Sequence, residues 1–302
     1  MSLPIGEMAA LATAICWSIT PVLFTLAGQK IGAINVNRVR ILLALLFMLI
    51  THWLLFNTPL PSGISLENLV LLCLSGIIGL VIGDSMMYQS YLDIGPRKTL
   101  LLLTLAPVFS IVLAWIFLGE TLNLIQILGI LVTLSGIGLV ILRQPDNNQK
   151  TLHNSKPFRG VLLASGAALS QAAGLILAKL GMNGDASPLS VSVIRMLAAF
   201  IVIWTIAVVR KQAVVSIRSL FQRNSSMKLI AGSFFGPFAG VTLSMIAINY
   251  APVGIASTLM SISPVLLIPL SAYYLNDKSG IRGISGAALA VAGAAILLIN
   301  LK

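Results

Sequence analysis

The sequence predicts an all-α integral membrane protein of ten transmembrane helices, arranged as two inverted five-helix repeats. Three observations carry that expectation. Hydrophobic residues fill 58% of the 302 positions and charged ones only 9%, with a mean hydropathy of +1.01, so too little polar surface exists to coat a water-soluble globule. The apolar residues fall into runs of about 20, the length that crosses a bilayer. One phrase also occurs twice: LLLTLAPVFSIVLAWIFLGE at Leu101–Glu120 returns as TLMSISPVLLIPLSAYYLND at Thr258–Asp277.

The ten runs lie near residues 5–27, 34–56, 66–92, 96–118, 123–142, 158–181, 188–210, 227–250, 252–275 and 281–300. Lipid offers no partners to backbone groups, so runs of this length are helices; barrel strands are shorter and alternate with period two. The first run is long enough to stay in the membrane, and no cleavable leader is expected ahead of it. The breaks PSGISLEN, Gly95-Pro96 and Ser187-Pro188 carry turn and helix-entry chemistry. The most polar break, RQPDNNQKTLHNSKPFR at Arg143–Arg159, falls at mid-chain and separates a first repeat, 1–145, from a second, 157–302.

An offset of 157 superimposes Gly83 on Gly240, Pro107-Val108 on Pro264-Val265, Glu120 on Asp277, Gly129 on Gly286 and Gly136 on Gly293 without a gap. Upstream the register drifts slightly, so that Gly6 meets Gly160 and Arg40 meets Arg195. The chain is therefore a duplicated unit. Five spans per unit bring the second copy into the membrane from the opposite side, and inverted repeats place a cavity at their interface that rocking opens to either face. That architecture predicts a carrier for a small-molecule substrate.

The cavity candidates follow from what is costly in lipid. Asp84, about 18 residues into the third run, is an acid at a depth where a charge costs roughly 2.5–3.5 kcal/mol. It reads equally as a structural carboxylate bonded to hydroxyls such as Ser85, or as a proton-titrating or amine-binding group, with Tyr88 one turn away as donor. Pro107 and Pro264 each free a backbone carbonyl that Thr104 and Ser261, three residues earlier, are placed to satisfy. The pair reads either as static kinks or as kinks beside the cavity. Trp17, one turn before Pro21, is too deep to anchor at the interface and reads as an aromatic cavity wall rather than plain core filling, with Pro21 beside it as a further cavity candidate. Gln171 and Ser263 complete the candidate lining. Glu120 and Asp277 read as helix-end and capping residues, and the glycine-spaced faces of the third, fifth and tenth runs as packing surfaces. Lys179 and Arg195, near span ends, are expected to reach water, with Asp185 as partner.

Other classes lack support in the residues. Cys16 and Cys73 lie in apolar runs and His52 and His153 are far apart, so no disulfide, metal site or cofactor is expected. No nucleophile, base or paired-carboxylate pattern suggests a membrane-embedded enzyme. A channel or lipid flippase would share the helices and glycines.

The net charge of +11 is a topology signal and not a nucleic-acid footprint. Lys30, Arg38, Arg40, Arg97, Lys98, the mid-chain basic residues, Arg210 to Lys228, Lys278 and Arg282 share one side of the ten-span arrangement; Lys179, Arg195 and Lys302 have the other. The positive-inside rule puts the basic side in the cytoplasm and both termini outside. The segment KQAVVSIRSLFQR fits that side, with Val214, Ile217 and Phe221 forming an apolar stripe and its basic residues facing lipid phosphates. In intact cells, an impermeant thiol reagent is expected to label a cysteine at Ser65 and not one at Asn147; the reverse would invert the orientation.

Trp17-Ser18 in the first run, Arg40 opening the second, the doubled phrases LAPVFSIVLAWIFLGE and SISPVLLIPLSAYYLND, and the glycine-spaced ILGILVTLSGIGLV and ISGAALAVAGAAIL resemble the drug/metabolite transporter superfamily in its EamA-like branch. The resemblance spans nearly the whole chain. Gln171 stands where family members often have a second tryptophan, and Asn276-Asp277 replaces the usual Gly-Glu. The resemblance implies ten helices in two repeats, a multi-pass protein of the cytoplasmic (inner) membrane, and export or exchange of small metabolites such as amino acids, driven by a proton or substrate gradient. It adds Ser18 to the cavity and implies termini inside, in conflict with the charges.

Overall fold

The structure is a computed structural model that describes residues 4–94, 96–143, 157–182, 186–221, 226–263, 265–266 and 281–299. Among the described residues every regular element is a helix. Helix α1 (Ile5–Ile31) meets α2 (Ala33–Phe56) at Gly32, whose φ of 80° is open to glycine. Ser65 caps α3 (Leu66–Gly76), its Oγ accepting the Asn68 N–H at 3.3 Å. A π-helical stretch, Ile77–Gly83, then leads into α4 (Asp84–Ile94). Helices α5 (Pro96–Leu103) and α6 (Leu105–Leu118) are parted by a turn at Thr104. Reciprocal bonds between Asn123 and Gln126, at 3.0 and 2.8 Å, start α7 (Leu124–Arg143).

The second half repeats this order. It comprises α8 (Pro157–Gly181), α9 (Pro188–Val209), a short α10 (Ala213–Leu220), α11 (Ser226–Ser233), a π-helical stretch at Phe234–Gly240, α12 (Val241–Tyr250), α13 (Val253–Met260) and α14 (Ile281–Ile299). The two π-helical stretches stand 157 residues apart, so the duplication reaches backbone detail. Pro237 in the second lacks the N–H that an α-helix would use, and Gly79 and Gly83 in the first tolerate the widened turn.

Among the described residues six helices are long and apolar enough to span a membrane: Ile34–Phe56, Leu66–Ser90, Thr99–Leu118, Pro157–Gly181, Pro188–Val209 and Ser226–Tyr250. Three shorter apolar helices are Ile5–Thr20, Leu124–Leu139 and Ser285–Leu297. The expected ninth span, 252–275, is described only as far as Leu266, and Asp277 lies outside the described residues. Trp53 to Phe56 and Trp115 to Phe117 are exposed apolar side chains at the perimeter, where lipid belongs.

The halves interlock. Helix α1 packs on α11, the second π-helical stretch and α12, while its copy α8 packs on α3, the first stretch and α4; α2 pairs with α9, α6 with α13 and α7 with α14. Apart from α6 with α13, whose counterpart falls outside the described residues, exchanging the halves regenerates the same set, as a duplicated unit requires. Small residues make the approaches possible. A Cβ on Gly293 would stand 2.5 Å from the Thr133 N, and one on Gly136 2.7 Å from the Gly286 O, so α7 and α14 meet backbone to backbone. Helix α10 is held by Arg38, which donates to Ser216 Oγ at 3.2 Å and to Gln212 Oε1 at 2.7 Å. Its Val214, Ile217 and the adjoining Phe221 stay exposed. Arg38 and Arg40 were counted above with the basic connections; Arg38 is buried and Arg40 partly buried in the bundle, each with hydrogen-bonding partners.

Candidate functional site

A cavity of about 620 Å³ lies between the halves. Its wall is largely built of equivalent pairs: Trp17 with Gln171, Arg40 with Arg195, Gly79 with Gly236, Asp84 with Val241, Leu103 with Met260, and Thr104 with Ser261. Of the eleven candidate residues, seven line it: Trp17, Asp84, Tyr88, Thr104, Gln171, Ser261 and Ser263. Ser18 is buried away from it and donates to the Ile15 carbonyl at 2.7 Å; Pro107 is buried and is not part of the wall. The Pro21 side chain and Pro264 fall outside the described residues.

Asp84 is the first residue of α4, at the end of the π-helical stretch. Its Oδ2 accepts from the Arg40 Nη2, and both side chains are 12% exposed. The expected partner, Ser85, instead donates to the Val81 carbonyl at 2.6 Å. Arg40 also donates from Nε to Asn37 Oδ1 at 2.8 Å, and its guanidinium carbon sits 5.5 Å from the Tyr88 ring centroid and 5.9 Å from that of Phe24. Two aromatic faces and a carboxylate thus surround one cation. Ion pairing between α2 and α4 removes Asp84 from the list of bare carboxylates.

Thr104 and Ser261 occupy matching breaks, but their hydroxyls do not serve the carbonyls that the prolines free. Thr104 Oγ1 donates to Leu101 O at 2.6 Å and Ser261 Oγ to Ser257 O at 2.8 Å. Each hydroxyl satisfies its own turn and keeps its lone pairs for the cavity. Trp17 is seated against Gly240, and Thr20 against Gly236, where a Cβ would stand 2.7 Å from the Thr20 Cγ2.

Two expectations are corrected. Arg195 does not reach water: it is 4% exposed, because α9 begins at Pro188 and buries it roughly 10 Å inside the helix end. Its Nη1 contacts Met245 Sδ at 2.6 Å and its Nε has no partner among the described residues. Lys179 donates to the carbonyls of Ile248 and, at 3.4 Å, Ala251, at the end of α12, a C-terminus that favours a cation; Asp185 lies outside the described residues. Beside it Glu120 Oε2 accepts the Val253 N–H at 2.8 Å and so caps α13 of the opposite half. Burial pushes the Glu120 carboxyl up, against the Val253 hydrogen bond and the Lys179 charge.

Equivalent positions differ in exposure. Phe24, Tyr88, Leu100 and Leu103 are half-buried, whereas their copies Ala178, Met245, Ser257 and Met260 are buried. The half-buried positions belong to α1, α4 and α5, and their buried copies to α8, α12 and α13. Among the described residues no three His, Cys, Asp or Glu side chains form a metal cluster.

Two interlocked helical halves around a half-buried cavity, in a chain of membrane-length helices, define a multi-pass membrane protein of the transporter class. The EamA-like transporter family model matches residues 4–142 and again 158–299, and the chain belongs to that family, within the drug/metabolite transporter superfamily. The two matches coincide with the two halves. A solved structure described as a crystal structure of protein is similar in fold, with a TM-score of 0.74 at 16% identity over 98% of this chain and 96% of that one. No curated protein sequence matches. A membrane transporter of small molecules is what the family establishes.

Proposed function

We propose that the protein moves small metabolites, amino acids or related compounds, across the cytoplasmic membrane by alternating access, as an exporter or exchanger. The observation that carries this reading is the unequal exposure of equivalent wall positions. Two copies of one sequence unit that hold different conformations around a shared cavity need only exchange conformations to open it on the other side. On this reading residues 1–145 and 157–302 form inverted five-helix repeats with ten spans in all. With the basic connections in the cytoplasm, both termini lie outside.

The aromatic and apolar wall around Trp17, with hydroxyls at Thr104, Ser261 and Ser263 and the amide of Gln171, suits a small amphipathic solute. Asp84 is the coupling candidate, and protons are the coupling ion we favour. Protonation would release Arg40, and a charge change between two helices that line the cavity gives the conformational exchange something to act on. Membership in a transporter family favours carriage over catalysis.

Purified protein in liposomes is expected to show saturable counterflow of a labelled substrate against an excess of the same compound inside. Conductance that rises linearly with concentration would make the protein a pore.

A further inference from the structure

Of the three charged side chains in the described wall of the cavity, Arg40 and Asp84 neutralise each other and Arg195 remains. A guanidinium has five N–H donors in a planar fork and keeps its charge at physiological pH. Here the residue is 4% exposed, its Nη1 rests on a thioether, a weak acceptor, and its Nε is unpartnered among the described residues. Burying such a group is unfavourable unless something anionic meets it. Gly79 leaves room beside it: a Cβ there would stand 3.6 Å from Nη2. The glycine belongs to the π-helical stretch, and it and Arg195 both line the cavity.

Resting on the transporter reading above, we propose that Arg195 is the anion subsite of the cavity and that the substrate is an amphipathic monocarboxylate, its carboxylate on the Arg195 fork and its apolar body against Trp17, Leu80, Met196 and Met260. Charge balance sets the anion's valence. The described wall carries two cations and one acid, so one negative charge brings the cavity to neutrality and a phosphate dianion would overshoot. Geometry sets its shape, since a planar carboxylate takes two parallel N–H bonds from a guanidinium. A substrate whose only charge is an ammonium meets an excess of positive charge and an aspartate already engaged with Arg40. A zwitterion is admissible because its ammonium can use the lone pairs of Ser257 and Ser261, whose protons already go to the Gly254 and Ser257 carbonyls.

The symmetry supports the assignment. Arg40, the copy of Arg195, is given a carboxylate by its own chain, while Arg195 is given none among the described residues. The carboxylate that enters with the substrate supplies at Arg195 what Asp84 supplies at Arg40.

Three probes with one apolar body separate the charges: 4-methylpentanoate, L-leucine and 3-methylbutylamine. Calorimetric titration of the detergent-purified protein is expected to show saturable binding of both carboxylates and at least ~30-fold weaker binding of the amine. In Arg195→Gln both carboxylates weaken by at least ~30-fold while the midpoint of thermal unfolding holds; Arg195→Lys, which keeps the charge and loses the fork, falls between. If Arg195→Gln does not fold, the order of the three probes on the wild-type protein decides. Amine binding as tight as carboxylate binding, no carboxylate binding at millimolar concentration, or unaltered carboxylate binding by folded Arg195→Gln would overturn the proposal. Carboxylate binding without counterflow in liposomes would keep the subsite and overturn the transporter reading; counterflow of the amine alone would do the opposite.

Discussion

Arg40→Leu is expected to lower the stability of the detergent-solubilised protein by about 3–5 kcal/mol and to abolish substrate binding, because it strands Asp84 in the cavity wall without a counter-charge. The same change removes a cation held 5.5 Å from the Tyr88 ring centroid and 5.9 Å from that of Phe24, worth a further ~0.5–2 kcal/mol. Removing both charges is far less costly than removing one, since a buried pair and an apolar pair of similar volume are often close in stability. Arg40→Leu combined with Asp84→Leu is therefore expected to unfold nearer the wild-type midpoint than Arg40→Leu alone. The measurement is thermal unfolding of the four proteins of this cycle, and additive losses would mean that the two side chains are not energetically coupled.

The duplication and its consequences were legible in the sequence because they are local patterns repeated at a fixed offset. Pro107 against Pro264 and Gly136 against Gly293 gave the register, and the same offset anticipated that Thr104 and Ser261 occupy matching places. The glycine-spaced runs announced close helix packing for the same reason: a missing side chain is visible in one dimension. Partners were not. Arg40 and Asp84 are 44 residues apart on different helices, and no spacing rule joins them, so the sequence offers only the neighbours Ser85 and Tyr88 as partners. The duplication aligns Arg40 with Arg195, yet a cation near a span end reads as one that reaches for water until the packing of α3 against α9 is known. A Cβ on Gly76 would stand 2.9 Å from the Arg195 carbonyl carbon, so α3 closes over the very turn that positions that side chain. Lys179 illustrates the same limit: its acceptors are backbone carbonyls of another helix, groups that every residue has and no sequence marks.

The π-helical stretches were equally hidden. Their hydrophobic pattern over seven residues does not differ from that of an α-helix, and only Pro237 hinted at a lost hydrogen bond. They matter because each turns the helix just before a wall position, delivering Asp84 in one half and Val241 in the other. The chain thus uses one backbone device twice and equips it with charge once, and this asymmetry gives the two halves of a symmetric bundle different chemistry.

Asp84→Asn is the substitution with the other large effect, and it bears on the coupling claim most directly. Asparagine keeps the size of the side chain and can still accept a hydrogen bond from Arg40, but it cannot take up or release a proton. Proteoliposomes containing wild-type protein and a carboxylate substrate are expected to accumulate that substrate when a pH difference is imposed across the membrane. Those containing Asp84→Asn are expected to exchange labelled for unlabelled substrate and to show no accumulation. Accumulation by Asp84→Asn at the wild-type level under the same pH difference would contradict the account and return Asp84 to a purely structural place beside Arg40.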